Sequence, residues 1–145
     1  MKNSITKLVV TSLALLLSGF AQAEDGMLVS GFGAGRDLSG AHLSPDPNTE
    51  YKVVFDLVVQ DENLDDPYPF LPAIAVYMNT LQKFDVPAKN RKISIVLHRG
   101  SGLIGLKNEA FKARNGGKDN PNIELIQKLH KAGVTFHQCG QGVLA

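Results

Sequence analysis

The sequence predicts an α/β fold with a largely parallel sheet and helices on its faces, and three observations carry that prediction. Lys52 to Val59 and Lys92 to Leu97 are β-branched, nearly continuous apolar runs, the pattern of strands covered on both faces. Apolar stripes at helical spacing lie between and after them. A capped helical segment then delivers a third short run, Val134 to Gln138. Strands alternating with helices imply right-handed crossovers and parallel neighbours. With 145 residues, 43% of them hydrophobic, the chain has material for one core, which excludes a disordered chain and two independent domains.

Taken from the N-terminus, Lys2 and Lys7 give a short positive start. Leu8 to Leu17 is almost wholly apolar, and Ala21-Gln22-Ala23 is a small-x-small cleavage site. Residues 1–23 therefore read as a signal peptide, too short in its apolar part for the roughly 20 residues of a membrane span. The expected location is periplasmic, without stable membrane insertion after cleavage, and the mature chain is expected to begin at Glu24. Loss of Lys2 and Lys7 takes the 15 basic residues to 13, against 14 acidic ones. A near-neutral surface argues against nucleic acid as a partner. Residues 24–50 carry Gly26, Gly31, Gly33, Gly35, Gly40, Pro45 and Pro47 and predict an extended N-terminal arm, with one short strand near Met27 to Phe32. The run Gly31-Phe32-Gly33-Ala34-Gly35 has no strand-to-helix context and is not read as a dinucleotide loop.

After the first strand, Gln60 to Pro69 is an acidic turn region. Its Asp61, Glu62, Asp65 and Asp66 lack the spacing of a calcium loop and read as a solvated lead into a helix. That helix spans about Phe70 to Phe84. Leu71, Ile74, Ala75, Met78 and Leu81 form its stripe, and Pro72 fits only in its first turn. The second strand ends at His98-Arg99-Gly100-Ser101-Gly102, and a helix is expected from about Leu103 to Arg114. The third helix has Asn120 as its expected N-cap, Pro121 at its first position and Gly133 as its stop.

In open parallel sheets, ligands and chemistry collect at the carboxyl ends of strands. His98 and Cys139 both fall there. Cys139, the single cysteine, cannot pair within its own chain, and an exported protein gains little from an unpaired thiol. It reads either as a reactive thiol beside the backbone of Gly140, Gln141 and Gly142 or as a small buried hydrophobe. His98 suits an acid/base role or a turn anchor. Arg99 suits an oxyanion such as thiosulfate or sulfite, or simply solvent. His137 shares a strand face with Cys139, but no further ligands suggest a metal.

At these residues the chain resembles the exported members of the DsrE/DsrF-like (YchN-like) family. The likeness is carried by Tyr51-Lys52-Val53-Val54-Phe55-Asp56, by Ile95-Val96-Leu97-His98 followed by Leu106-Lys107-Asn108-Glu109-Ala110-Phe111, by Asn120-Pro121-Asn122, and by Lys131-Ala132-Gly133-Val134 leading to Cys139-Gly140-Gln141. The resemblance implies a three-layer α/β/α sandwich with a mainly parallel sheet over residues 51–145. It implies a homo-oligomer, trimer or hexamer, and a thiol that carries sulfane sulfur as a persulfide. Cys139 and His98 map to the family's strand-end cysteine and histidine; Gly140 and Gln141 of the Cys-Gly-Gln motif, and Arg99 on the guanidinium chemistry above, are the expected substrate-binding residues. Two departures stand out. Arg99 occupies a position where relatives carry glycine. The chain also ends three residues after Gly142, where relatives continue, so the domain is expected to be truncated, with a short sheet open on one face or covered by a neighbouring subunit.

The expectation for function is an exported thiol protein that accepts or relays sulfur through Cys139, a sulfurtransferase-like role with a small sulfur donor or a partner thiol protein. It needs no cofactor and no metal. The alternative is a non-catalytic homo-oligomeric binding or assembly protein in which Cys139 is structural.

Overall fold

A computed structural model describes residues 26–58 and 64–143; the expected signal peptide lies outside the described residues. The elements run β1 (Tyr51–Leu57), α1 (Phe70–Lys83), a 3₁₀ turn (Ala88–Asn90), β2 (Arg91–Leu97), a 3₁₀ segment (Arg99–Gly105), α2 (Asn108–Lys112), α3 (Ile123–Lys131), β3 (Thr135–Gln138) and α4 (Gly140–Val143). The three strands form one sheet in the order β1-β2-β3, and both pairings are parallel. The α/β architecture with a parallel sheet, and the order of its strands and main helices, are as the sequence predicts.

The strand order has a consequence for the faces. Each crossover steps one strand in the same direction, and a right-handed crossover taken twice in one direction lays its helices on the same face. Accordingly α1 and α3 contribute to a single core. Leu71, Ile74, Ala75 and Met78 of α1 and Leu125 and Leu129 of α3 pack with Leu57, Ile93, Ile95, Leu97 and Val134 of the sheet region. Burying a side chain such as Ile95, fully enclosed here, stabilises by about 1.5–3 kcal/mol. The other face bears Lys52, Val54 and Asp56 of β1, all exposed. The first apolar run is therefore not covered on both sides as its continuity predicts: it alternates, and Val54 keeps 66% of its surface. Across β2 and β3 the same face is polar, with the hydroxyls of Ser94 and Thr135 hydrogen-bonded at 2.7 Å.

Both long helices stop the same way. After α1, Asp85 takes a left-handed conformation (φ 56°), with Asp85 N donating to Gln82 O and Val86 N to Leu81 O. After α3, Gly133 does the same, with bonds to His130 O and from Val134 N to Leu129 O. This paired arrangement satisfies the last carbonyls of a helix.

Two boundaries differ from expectation for one reason. The helix expected over Leu103–Arg114 is split into the 3₁₀ segment and α2, with Leu106 and Lys107 extended between them. Asn120 holds the break open: its Nδ2 donates to Ile104 O at 2.9 Å and to Leu106 O at 2.7 Å, and its N–H donates to Asn108 Oδ1. Carbonyls caught by a side chain have no need of a helical partner. Asn120 is thus a clamp rather than the expected cap. It lies two residues before the observed N-cap, Asn122, and accepts that residue's N–H at 3.0 Å.

The N-terminal arm forms turns and bends rather than the short strand expected near Met27 to Phe32. It is fastened to α1 by the buried Asn79, which accepts Val29 N–H and donates to Val29 O and Gly33 O. Gly35 lies so close that a Cβ there would stand 2.5 Å from Asn79 O. Lys128 of α3 completes the attachment, donating to Ser30 O and standing over the Phe32 ring at 5.1 Å.

Candidate functional site

The carboxyl rim of the sheet is built by short backbone bonds that continue the ladder one step past the strands. His98 N–H donates to Leu57 O, and Cys139 N–H donates to Leu97 O, each at 2.9 Å. The last paired residues of β2 and β3 are Leu97 and Gln138. His98 and Cys139 follow them and are neighbours in register. Alternation along each strand assigns both to the open face. Cys139 is a free thiol of intermediate exposure, and among the described residues no hydrogen bond joins it to the imidazole. The alignment of such pairs commonly tightens only when substrate binds.

β1 contributes a third group to this rim. Asp56 Oδ1 lies 3.3 Å from His98 Nε2, with both side chains partly exposed. A carboxylate on one ring nitrogen fixes the orientation of an imidazole and leaves the other nitrogen free, the arrangement that serves an adjacent nucleophile. Sequence reasoning missed Asp56 as a site residue. Its signal was present: it is the only charge in the run Val53 to Val58.

Arg99 lies elsewhere. It turns the chain away from the strand with a left-handed φ of 47°. The turn is held by Ser101, wholly buried, whose N–H donates to His98 O and whose hydroxyl lies against both His98 O and Leu57 O. Arg99 lines a cleft of about 450 Å³ with Gly102, Leu103, Gly105, Leu106, Arg114 and Gln138. Neither His98 nor Cys139 lines it. Gly140 and Gln141 are exposed in the first turn of α4. The expected site residues thus divide into a thiol–imidazole rim and an arginine cleft. Arg114 and Gln138 gave no signal as members of that cleft, because the broken helix sets Arg114's place.

His137 is exposed, paired in register with Val96. Among the described residues no three His, Cys, Asp or Glu side chains gather as a metal site would need, and no helix is long and apolar enough to cross a membrane. Comparisons with protein-family models, curated proteins and solved structures match nothing to this chain.

Proposed function

We propose that this chain is an exported thiol protein of the DsrE/DsrF-like kind that accepts sulfane sulfur on Cys139 and passes it to a partner thiol. The observation that carries the reading is a free, partly exposed cysteine at the carboxyl rim, neighbour in register to a histidine whose ring meets a carboxylate. In the accepting step the Cys139 thiolate attacks the outer sulfur of a donor such as thiosulfate. An S–S bond forms, the donor's S–S bond breaks, and sulfite leaves with the electron pair. In the relay step a partner thiolate attacks the terminal sulfur of the protonated persulfide, and Cys139 departs as thiolate. His98 is the group suited to take the thiol proton at the start and to assist release at the end, and Asp56 is suited to orient it.

The test is intact mass spectrometry after incubation with thiosulfate or polysulfide. The expected result is a gain of about 32 Da, one sulfur atom, on the wild-type protein and none on Cys139→Ser. Asp56→Asn is expected to slow the gain several-fold while the folded spectrum is unchanged. A thiol that gains no sulfur and resists alkylation in the native protein removes the reading.

A second reading, a homo-oligomeric binding or assembly protein with a structural cysteine, is favoured by one feature, the open sheet face with Val54 and Val58 exposed. It predicts a stable oligomer whose assembly is indifferent to Cys139→Ser.

A further inference from the structure

The cleft beyond Arg99 is a feature of the rim that the thiol chemistry does not use. Its two guanidinium groups come from separate elements, Arg99 from the turn after β2 and Arg114 from the turns after α2. Five described carboxylates are paired elsewhere: Glu50 with Lys52, Asp119 with Lys112, Asp65 with Lys118, Glu124 with Lys128 and Asp56 with His98. Among the described residues no ion pair engages Arg99 or Arg114. Arg114 Nη1 donates to Ala110 O at 3.2 Å, which anchors the side chain along α2 and leaves its other four N–H donors unspent. The Gln138 carboxamide reaches the same space over Gly102, where a Cβ would stand 2.8 Å from Gln138 Nε2. Leu103 and Leu106 supply an apolar wall, and Arg99, Arg114 and Gln138 are exposed to solvent beside it.

We propose that this cleft is a binding site for a small, doubly charged oxyanion, with Arg99 and Arg114 as its charge partners and Gln138 as a neutral donor. Two planar guanidiniums supply two positive charges and forked donors matched to tetrahedral oxygens. The volume, about 450 Å³, admits inorganic phosphate, sulfate or thiosulfate with room to spare. Where the anion is thiosulfate, the inference rests on the sulfur-carrier reading and names its donor class. Where it is phosphate or sulfate, it stands without that reading, because no part of the cleft is Cys139.

The experiment is isothermal titration of the purified protein at low ionic strength with phosphate and with thiosulfate. Wild type is expected to bind one anion per chain saturably. Arg114→Gln and Arg99→Gln are each expected to weaken it roughly tenfold or more, the worth of a charge-assisted contact. Cys139→Ser is expected to leave binding unchanged, and Lys131→Gln, a cation outside the cleft, is expected to cost less than twofold. Circular dichroism and urea midpoints confirm that each variant folds. Absence of saturable heat overturns the proposal. So does Arg114→Gln within twofold of wild type, or Lys131→Gln costing as much as Arg114→Gln. A protein that gains sulfur on Cys139 yet binds no anion loses the cleft and keeps the thiol chemistry; one that binds the anion with an inert thiol does the reverse.

Discussion

The two faces of the sheet are made by the same three strands and share almost nothing else. On the covered face Ile93, Ile95 and Leu97 are sealed under α1, α3 and the 3₁₀ segment. On the open face Lys52, Val54, Asp56, Lys92, Thr135 and His137 meet solvent. The chemistry-bearing groups fall on the second side, with Asp56, His98 and Cys139 near its carboxyl rim. Topology makes the division. Two crossovers that step the same way put both helices on one side, and no described strand reverses the order to bring a helix to the other. Reversal of strand order is what usually opens a ligand crevice in such sheets. Here the rim's chemistry is exposed for a different reason, the bare face beside it.

The largest expected effect tests whether the bare face is bare in solution. Ile95→Ala, at a fully enclosed site, is expected to cost about 2–5 kcal/mol by lost transfer energy and the cavity left behind. Val54→Thr, on the next strand and the opposite face, is expected to fall within about 0.5 kcal/mol of wild type, as surface changes usually do. Urea midpoints give both. A Val54→Thr cost that approaches the Ile95→Ala cost breaks the comparison and means that the open face is covered in the native assembly.

How far this division was legible in the sequence depends on the residue. The strand and helix positions were readable because the apolar spacing is strong: α1 begins and ends within one residue of its expected span, and Pro72 sits in its first turn. The uncovered face was not readable from the first run, because Val53-Val54-Phe55 is apolar whichever side a helix takes. Only the lone Asp56 hinted at it. The broken helix after β2 was equally hidden. The run Leu103 to Arg114 has helical character, and what splits it is a side chain from the segment beyond, Asn120, a tertiary capture of carbonyls that overrides local propensity. That same break brings Arg114 to the rim, so the arginine cleft was illegible while His98 and Cys139, fixed by strand ends alone, were not.

A medium effect is expected where the chain passes from the rim to the cleft. Arg99 bears the left-handed φ of 47° that glycine adopts freely, and a side chain there costs roughly 1–2 kcal/mol of steric strain. The conformation persists because buried Ser101 binds the turn to both strand ends. Arg99→Gly relieves the strain but adds freedom to the unfolded chain. A net stabilisation of about 0.5–1 kcal/mol is expected, together with weaker anion binding in the cleft. The opposite signs sharpen the comparison, since they mark a residue kept at a cost to the fold. An Arg99→Gly protein that is less stable than wild type shows that the guanidinium itself supports the turn.

The smallest effect lies at the entry to β1. The Asp46 carboxylate accepts the Asn48 N–H at 2.9 Å and the Thr49 hydroxyl at 3.0 Å, while Asp46 N–H donates to the Tyr51 hydroxyl at 2.7 Å. The backbone bond from Asn48, helped by Thr49, holds the Asp46 carboxyl below the usual aspartate range. A carboxyl more acidic in the folded state than in the unfolded chain binds fewer protons when folded. Its contribution is therefore complete above the ordinary aspartate pKa and is lost as acid takes the pH down through the lowered folded value. Asp37 is lowered in the same way by the Ser39 N–H, so each carboxyl supplies only part of the acid slope. Urea midpoints measured from neutrality into the acid range are expected to fall less steeply for Asp46→Asn than for wild type, and less steeply again for the Asp37→Asn/Asp46→Asn pair. Both carboxylates are surface groups away from the covered face. The acid slope is therefore expected to keep its shape in Ile95→Ala while the whole curve drops, whereas parallel curves for wild type and Asp46→Asn would mean that this loop does not hold its turn when β1 joins the sheet.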